Sequence, residues 1–69
     1  MKQLAVTSKI IKSVYFSPED GQLRICFKNG EERNFRDVPE AEATAMCAAP
    51  SPGQHYISKI RTHYPRIAA

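Results

Sequence analysis

The stretch Gln22-Leu23-Arg24-Ile25-Cys26-Phe27-Lys28-Asn29-Gly30-Glu31-Glu32-Arg33-Asn34-Phe35-Arg36 decides the fold. From Gln22 to Phe27 it alternates strictly, with Leu23, Ile25 and Phe27 on one side and Arg24 and Cys26 on the other. Side chains two residues apart share one face of an extended chain, so this segment reads as a half-buried strand. Lys28-Asn29-Gly30 then reverses the chain into a further strand, Glu31 to Arg36. Two registers compete for the hairpin. A two-residue Asn29-Gly30 turn pairs Phe27 with Glu32 and sends Phe35 to the face opposite Leu23. A three-residue loop with Gly30 in the left-handed conformation pairs Phe27 with Glu31, Ile25 with Arg33 and Leu23 with Phe35. The second register gathers Leu23, Ile25, Phe27 and Phe35 on one face, so burial selects it. Arg33 then flanks the apolar face along its aliphatic stem.

Towards the N-terminus, Ile10 to Ser17 is rich in β-branched and aromatic residues and reads as a strand. Ser17-Pro18-Glu19-Asp20-Gly21 has turn chemistry throughout. Towards the C-terminus, Val38-Pro39 opens a helix that runs to Ala48, with Glu40 and Glu42 complementing its dipole. Met46 is its only large apolar side chain, and Ala49-Pro50 ends it. Ser51-Pro52-Gly53-Gln54 starts a second helix as a capping box: hydroxyl cap, proline first, glutamine three residues on. Through Tyr64, an α-helical wheel puts Tyr56, Ile57, Ile60 and Tyr64 within about 100° of arc. His55, Ser58, Lys59, Thr62 and His63 take the opposite, solvated face, and Pro65 stops the helix. The expected product is a single α+β domain over residues 1–69. It is a three-stranded antiparallel β-meander followed by two helices packed on one face. Its core spans about residues 9–65, with 1–8 and 66–69 as mobile ends.

Composition agrees with that small domain. A chain of 69 residues buries only roughly 60% of its unfolded surface. It has no room for a catalytic domain beside a binding domain. Apolar residues at 42% and charged residues at 25% mark a globular chain, not a disordered one. Apolar runs last a few residues, so no bilayer span is expected. Met1 to Thr7 lacks the apolar stretch of a secretory signal. Cys26 and Cys47 are too few for a disulfide scaffold and point to a reducing cytoplasm.

The net charge of +3 conceals a segregation. All seven acids lie between Glu19 and Glu42, while Lys2, Lys9 and Lys12 precede them and Lys59, Arg61 and Arg66 follow. Basic ends attract polyanions; equally, they can pair with the acidic middle. Metal binding is not expected, because the cysteines form no C-x-x-C pair and His55 and His63 stand eight residues apart. Nucleophilic catalysis would need a cysteine beside a histidine, and no spacing here brings them together, so no enzyme activity and no cofactor are expected. The start of the second helix is a candidate anion site through Ser51, Gly53 and Gln54, because free backbone N–H groups of Gly53 and Gln54 point outward there and the glycine leaves the backbone uncovered. Alternatively, Ser51 caps those groups and Gly53 serves close packing. Cations interleaved with rings suit single-stranded nucleic acid, and Lys12, Arg33, Phe35, Lys59, Arg61 and His63 are the candidate contacts. For Arg61, near Ile57 and Tyr64 on the wheel, a salt bridge to an acid of the middle segment is the competing role.

These segments line up in an order that resembles the KTSC domain. The ordered set is Leu23-x-Ile25-x-Phe27, Asn29-Gly30, a spaced pair at Arg33 and Phe35, Val38-Pro39, Ala49-x-Ser51-x-Gly53 and Tyr56-Ile57-x-x-Ile60-Arg61-x-x-Tyr64. The resemblance covers about residues 8 to 65. It implies a short free-standing bacterial protein without an established activity. The family takes its name from a C-terminal extension of some lysyl-tRNA synthetases, which implies RNA, either tRNA or single-stranded, as the partner. The family's central Tyr-x-Tyr falls on Arg33 and Phe35, so the first ring is replaced by a guanidinium and the second lacks its hydroxyl. A protein partner or a second copy, docked on the sheet face or an open strand edge, is the alternative to RNA. No membrane and no metal are expected.

Overall fold

The computed structural model describes residues 1–67. Four antiparallel strands form one sheet in the order β1 (Lys2–Leu4), β2 (Ile11–Ser17), β3 (Gln22–Phe27) and β4 (Glu32–Phe35). Helix α1 (Glu40–Ala48) and a second, shorter helix α2 (Pro52–His55) follow, and the chain then widens into a π-helical turn over Tyr56–Ile60. The architecture is α+β, with four strands where three were expected.

The β3–β4 hairpin has the register that burial selects. Leu23 lies opposite Phe35 and Ile25 opposite Arg33. Phe27 N–H donates to the Glu31 carbonyl at 2.8 Å and Gly30 N–H to the Phe27 carbonyl at 3.1 Å. Gly30 has φ +93°, the left-handed conformation that the three-residue loop requires. Strand β2 carries a feature that its composition does not announce. Its buried apolar residues are Ile11, Val14 and Phe16, which break the period of two. A bulge between Ile11 and Ser13, with Lys12 as the extra residue, switches the parity so that all three face inward.

Residues 2–4 are not a mobile end. They form the edge strand β1, where Gln3 pairs with Tyr15 and Leu4 with Val14. Lys2 Nζ donates to Glu40 Oε2 at 2.8 Å, linking this strand to α1. At the other end, Ile67 N–H donates to the Asn34 carbonyl and Arg36 N–H to the Pro65 carbonyl. The tail thus lies along the outer edge of β4, so residues 66 and 67 are ordered too; the expectation for residues 68 and 69 lies outside the described residues.

One core joins the elements. Phe16, Leu23, Ile25 and Phe35 from the sheet meet Met46 from α1 and Ile60 from the π-helical turn, each at most 1% exposed. The rings of Phe27 and Phe35 both meet Tyr56 edge-on, at 5.3 and 5.9 Å between centroids, an arrangement favoured by the ring quadrupoles.

The second helix departs from an ideal α-helix in two ways. Ser51 makes no side-chain cap bond, and Gln54 Nε2 donates instead to Ser58 Oγ at 3.3 Å, so no capping box forms. Arg61 N–H reaches back five residues to the Tyr56 carbonyl at 2.9 Å, which defines the wide turn. With that extra residue in the turn, Tyr56 and Ile60 stay buried while Ile57 rotates out to 43% exposure.

Gly21 ties the β2–β3 turn to the segment that leads into α1. It has φ +71°, its carbonyl accepts the Val38 N–H at 3.0 Å, and a Cβ there would sit 3.2 Å from the backbone N and O of Val38. Gly21→Ala is therefore expected to cost about 1 to 2 kcal/mol from the left-handed conformation, with the backbone contact adding to it. A thermal melt should show Tm lower by about 5 to 15 °C. Gly30→Ala, with nothing within 4 Å of the new Cβ, should cost less in the same melt.

Candidate functional site

The hairpin, the π-helical turn and the tail enclose one open groove of about 530 Å³. Phe27 and Phe35 come from β3 and β4, Tyr56 and Ile57 from the turn, and Ile10 from the segment before β2. Arg33, Arg61 and Arg66 stand around them, each contributed by a different element, with Glu31 as the one carboxylate in the lining. β4 supplies Arg33 because alternation puts it on the core side of the sheet, beside Phe35. Its stem is covered and its head reaches the edge, where Nη1 donates to the Glu32 carbonyl at 3.0 Å and Nη2 to Glu31 Oε2 at 3.1 Å. Those contacts hold the guanidinium plane at the mouth of the groove.

Arg61 and Arg66 are exposed, and among the described residues neither has a carboxylate within ion-pair distance. The salt bridge considered for Arg61 does not form. Its placement next to Ile57 does, since both line the groove. Arg66 is held by its backbone, which bridges to Phe35. Sequence reasoning places it among the mobile residues, because a lone arginine after a proline has no periodic signal.

The other candidates distribute differently. Phe35 is 1% exposed and forms the buried floor, so its ring is not open to stacking. Lys12, Lys59 and His63 are exposed and do not line the groove. Around Ser51, Gly53 and Gln54, the exposed backbone inferred at the glycine is not present. Gly53 is buried, and a Cβ there would come within 2.5 Å of Ile10 Cδ1. The missing side chain serves close packing of α2 against Ile10.

His55 is not on a solvated face. Its Nε2–H donates to Glu42 Oε1 at 2.8 Å with both side chains largely covered, tying α2 to α1. A carboxylate oxygen can only accept, so the proton in this contact is on Nε2. The basic N-terminal end and the acidic middle pair through Lys2–Glu40, while the groove arginines from the C-terminal segment stay outside that pairing.

Cys26 and Cys47 are free thiols. Burial against the core pushes the Cys47 thiol up from its ordinary value of 9.0. The native state therefore keeps a proton that the unfolded chain loses, so stability is intact below pH 9 and falls as pH rises past it. Urea titrations at pH 8 and pH 10 should show this fall, and Cys47→Ala should reduce it. Among the described residues, no three His, Cys, Asp or Glu side chains converge to hold a metal ion, and no helix is long and apolar enough to cross a membrane.

No curated protein matches this sequence. Among solved structures, the crystal structure of a KTSC domain protein from Yersinia pestis is similar to this chain with a TM-score of 0.86, at 22% identity over 99% of this chain and 96% of that one. At such an identity the likeness shows the shared fold. The KTSC domain model itself matches residues 7–64, which include α1 as well as the hairpin and the π-helical turn that build most of the groove. The family model spans most of the sheet and all of the groove except Arg66, and the chain belongs to the KTSC domain family.

Proposed function

We propose that this protein is a non-catalytic cytoplasmic module that binds RNA through the arginine-rimmed groove. The convergence of Arg33, Arg61 and Arg66 over an apolar floor carries the proposal. Guanidinium groups pair with phosphate oxygens in a fixed fork and stack on base planes, so three of them around an apolar surface suit a nucleotide polymer. Among the described residues Arg61 and Arg66 have no carboxylate to displace, so phosphate contacts there break no ion pair among them. Two free thiols fit a reducing compartment.

Amide NMR titration of the labelled protein with a tRNA pool and with short single-stranded RNA, at two salt concentrations, tests this. Localised shifts at Arg33, Ile57, Arg61 and Arg66 that fade with salt are expected, because displaced counterions oppose binding as salt rises. An absence of shifts at low salt would remove RNA as the partner. Self-association is the competing role, supported by the position of β1 at the sheet edge, where one side of its backbone is unpaired. It predicts concentration-dependent broadening centred on residues 2–4 and not on the groove.

A further inference from the structure

Beyond RNA as a class, we infer that the groove takes an unpaired strand, and that the strand continues past Ile10 onto Lys9 and Lys28. This rests on the RNA binding proposed above and specifies the form of RNA. A second hollow of about 370 Å³ lies beside the groove, and the two share Ile10, Phe27 and Glu31 in their walls. The second hollow adds Lys9, Lys28 and Asn29. One continuous track therefore runs from three arginines, over an apolar saddle, to two exposed lysines.

The apolar saddle distinguishes single from double strands. Ile10 and Ile57 are 46% and 43% exposed, and apart from Met1 they are the exposed large apolar side chains of the described residues. Both lie at this site. In a duplex the base faces are stacked and paired inside a phosphate cylinder, which would meet the rim of a concave groove and leave both isoleucines facing water. An unpaired nucleotide presents a free base face to cover them while its phosphate meets a guanidinium. Arg33 points the same way. Its stem is covered, its side chain is only 28% exposed, and its guanidinium is held at the groove mouth by Glu31 and the Glu32 carbonyl, where it presents a plane for a free base to stack on. Charge complementarity favours a polyanion along the whole path, with five cations against Glu31.

Fluorescence anisotropy with an oligouridylate and with a blunt-ended RNA duplex of the same strand length tests the inference. The single strand is expected to bind at least about tenfold more tightly, since stacking and apolar contacts are open only to it. The double variant Lys9→Ala/Lys28→Ala should reduce the slope of log affinity against log salt by about 1.4, roughly 0.7 for each phosphate of a single strand that is no longer neutralised. Equal or tighter binding of the duplex would overturn the unpaired-strand inference while leaving RNA binding standing. An unchanged salt slope in the double variant would overturn the path over Ile10. Binding of neither ligand at low salt would overturn RNA binding itself.

Discussion

Phe35→Ala is expected to leave most of the protein unfolded at 25 °C. Phe35 is 1% exposed, packs edge-on against Tyr56 and lies opposite Leu23 on the core face of the sheet. Deleting a buried phenylalanine ring costs about 3 to 5 kcal/mol in transfer and cavity terms. The single core of a domain of 69 residues rarely supplies more than about 3 to 5 kcal/mol of stability, so the loss takes most or all of it. Urea titration followed by circular dichroism would show the native baseline shortened or gone. Phe35→Leu keeps much of the volume and should retain a cooperative transition at a lower midpoint. It should also keep RNA binding, because the ring is floor and not contact surface. Loss of RNA binding in a folded Phe35→Leu protein would return this residue to the contact set.

Arg61→Glu/Arg66→Glu is expected to lower affinity for single-stranded RNA by on the order of 100-fold, as two phosphate-seeking cations become repulsive charges. Both residues are exposed and without ion-pair partners among the described residues, so their reversal should leave the thermal melt nearly unchanged. Surface changes away from packed features usually fall within about 0.5 kcal/mol. Lys12→Glu/Lys59→Glu changes the net charge by the same amount outside the groove and serves as the comparison. A similar loss from both pairs would mean that RNA responds to net charge alone, and the groove would have no special role.

Arg66 stands apart within this set. It follows the residues 7–64 that match the family model, yet it enters the groove because the tail from Pro65 to Ile67 lies along the free edge of β4. The same contact covers backbone groups that an edge strand would otherwise expose. β1 is likewise outside the matched residues and extends the opposite edge. Both ends of this chain therefore elaborate the sheet that its family match defines.

Much of the hairpin was legible because its physics is local. A slip of one residue between β3 and β4 would move Phe35 to the other face, so alternation and turn length together left one register. The limits of α1 follow from Pro39 and Pro50 in the same way, and so does the position of Arg33 beside Phe35. β1 was not legible, because Lys2-Gln3-Leu4 is too short to show a period and gains its partner only when Tyr15 is brought alongside. The bulge at Lys12 and the widened turn at Tyr56 escaped for a related reason. Each inserts one residue into a regular repeat, and a wheel or an alternation drawn at the ideal period rotates the later side chains to the wrong face.

The α+β class, the hairpin register, and the side of the sheet on which Arg33 and Phe35 lie were all fixed by residue order. They depend on periods of two and 3.6 residues within single elements. Closure of the fold was needed to bring Arg33, Arg61 and Arg66 to one groove, to bond His55 to Glu42, and to leave Lys12, Lys59 and His63 elsewhere. The groove is assembled from residues 10, 27–35, 56–61 and 66, and no local repeat relates positions so far apart. Their convergence is set by how the tail pairs with β4 and how Tyr56 packs between Phe27 and Phe35, contacts that exist only once the core has closed.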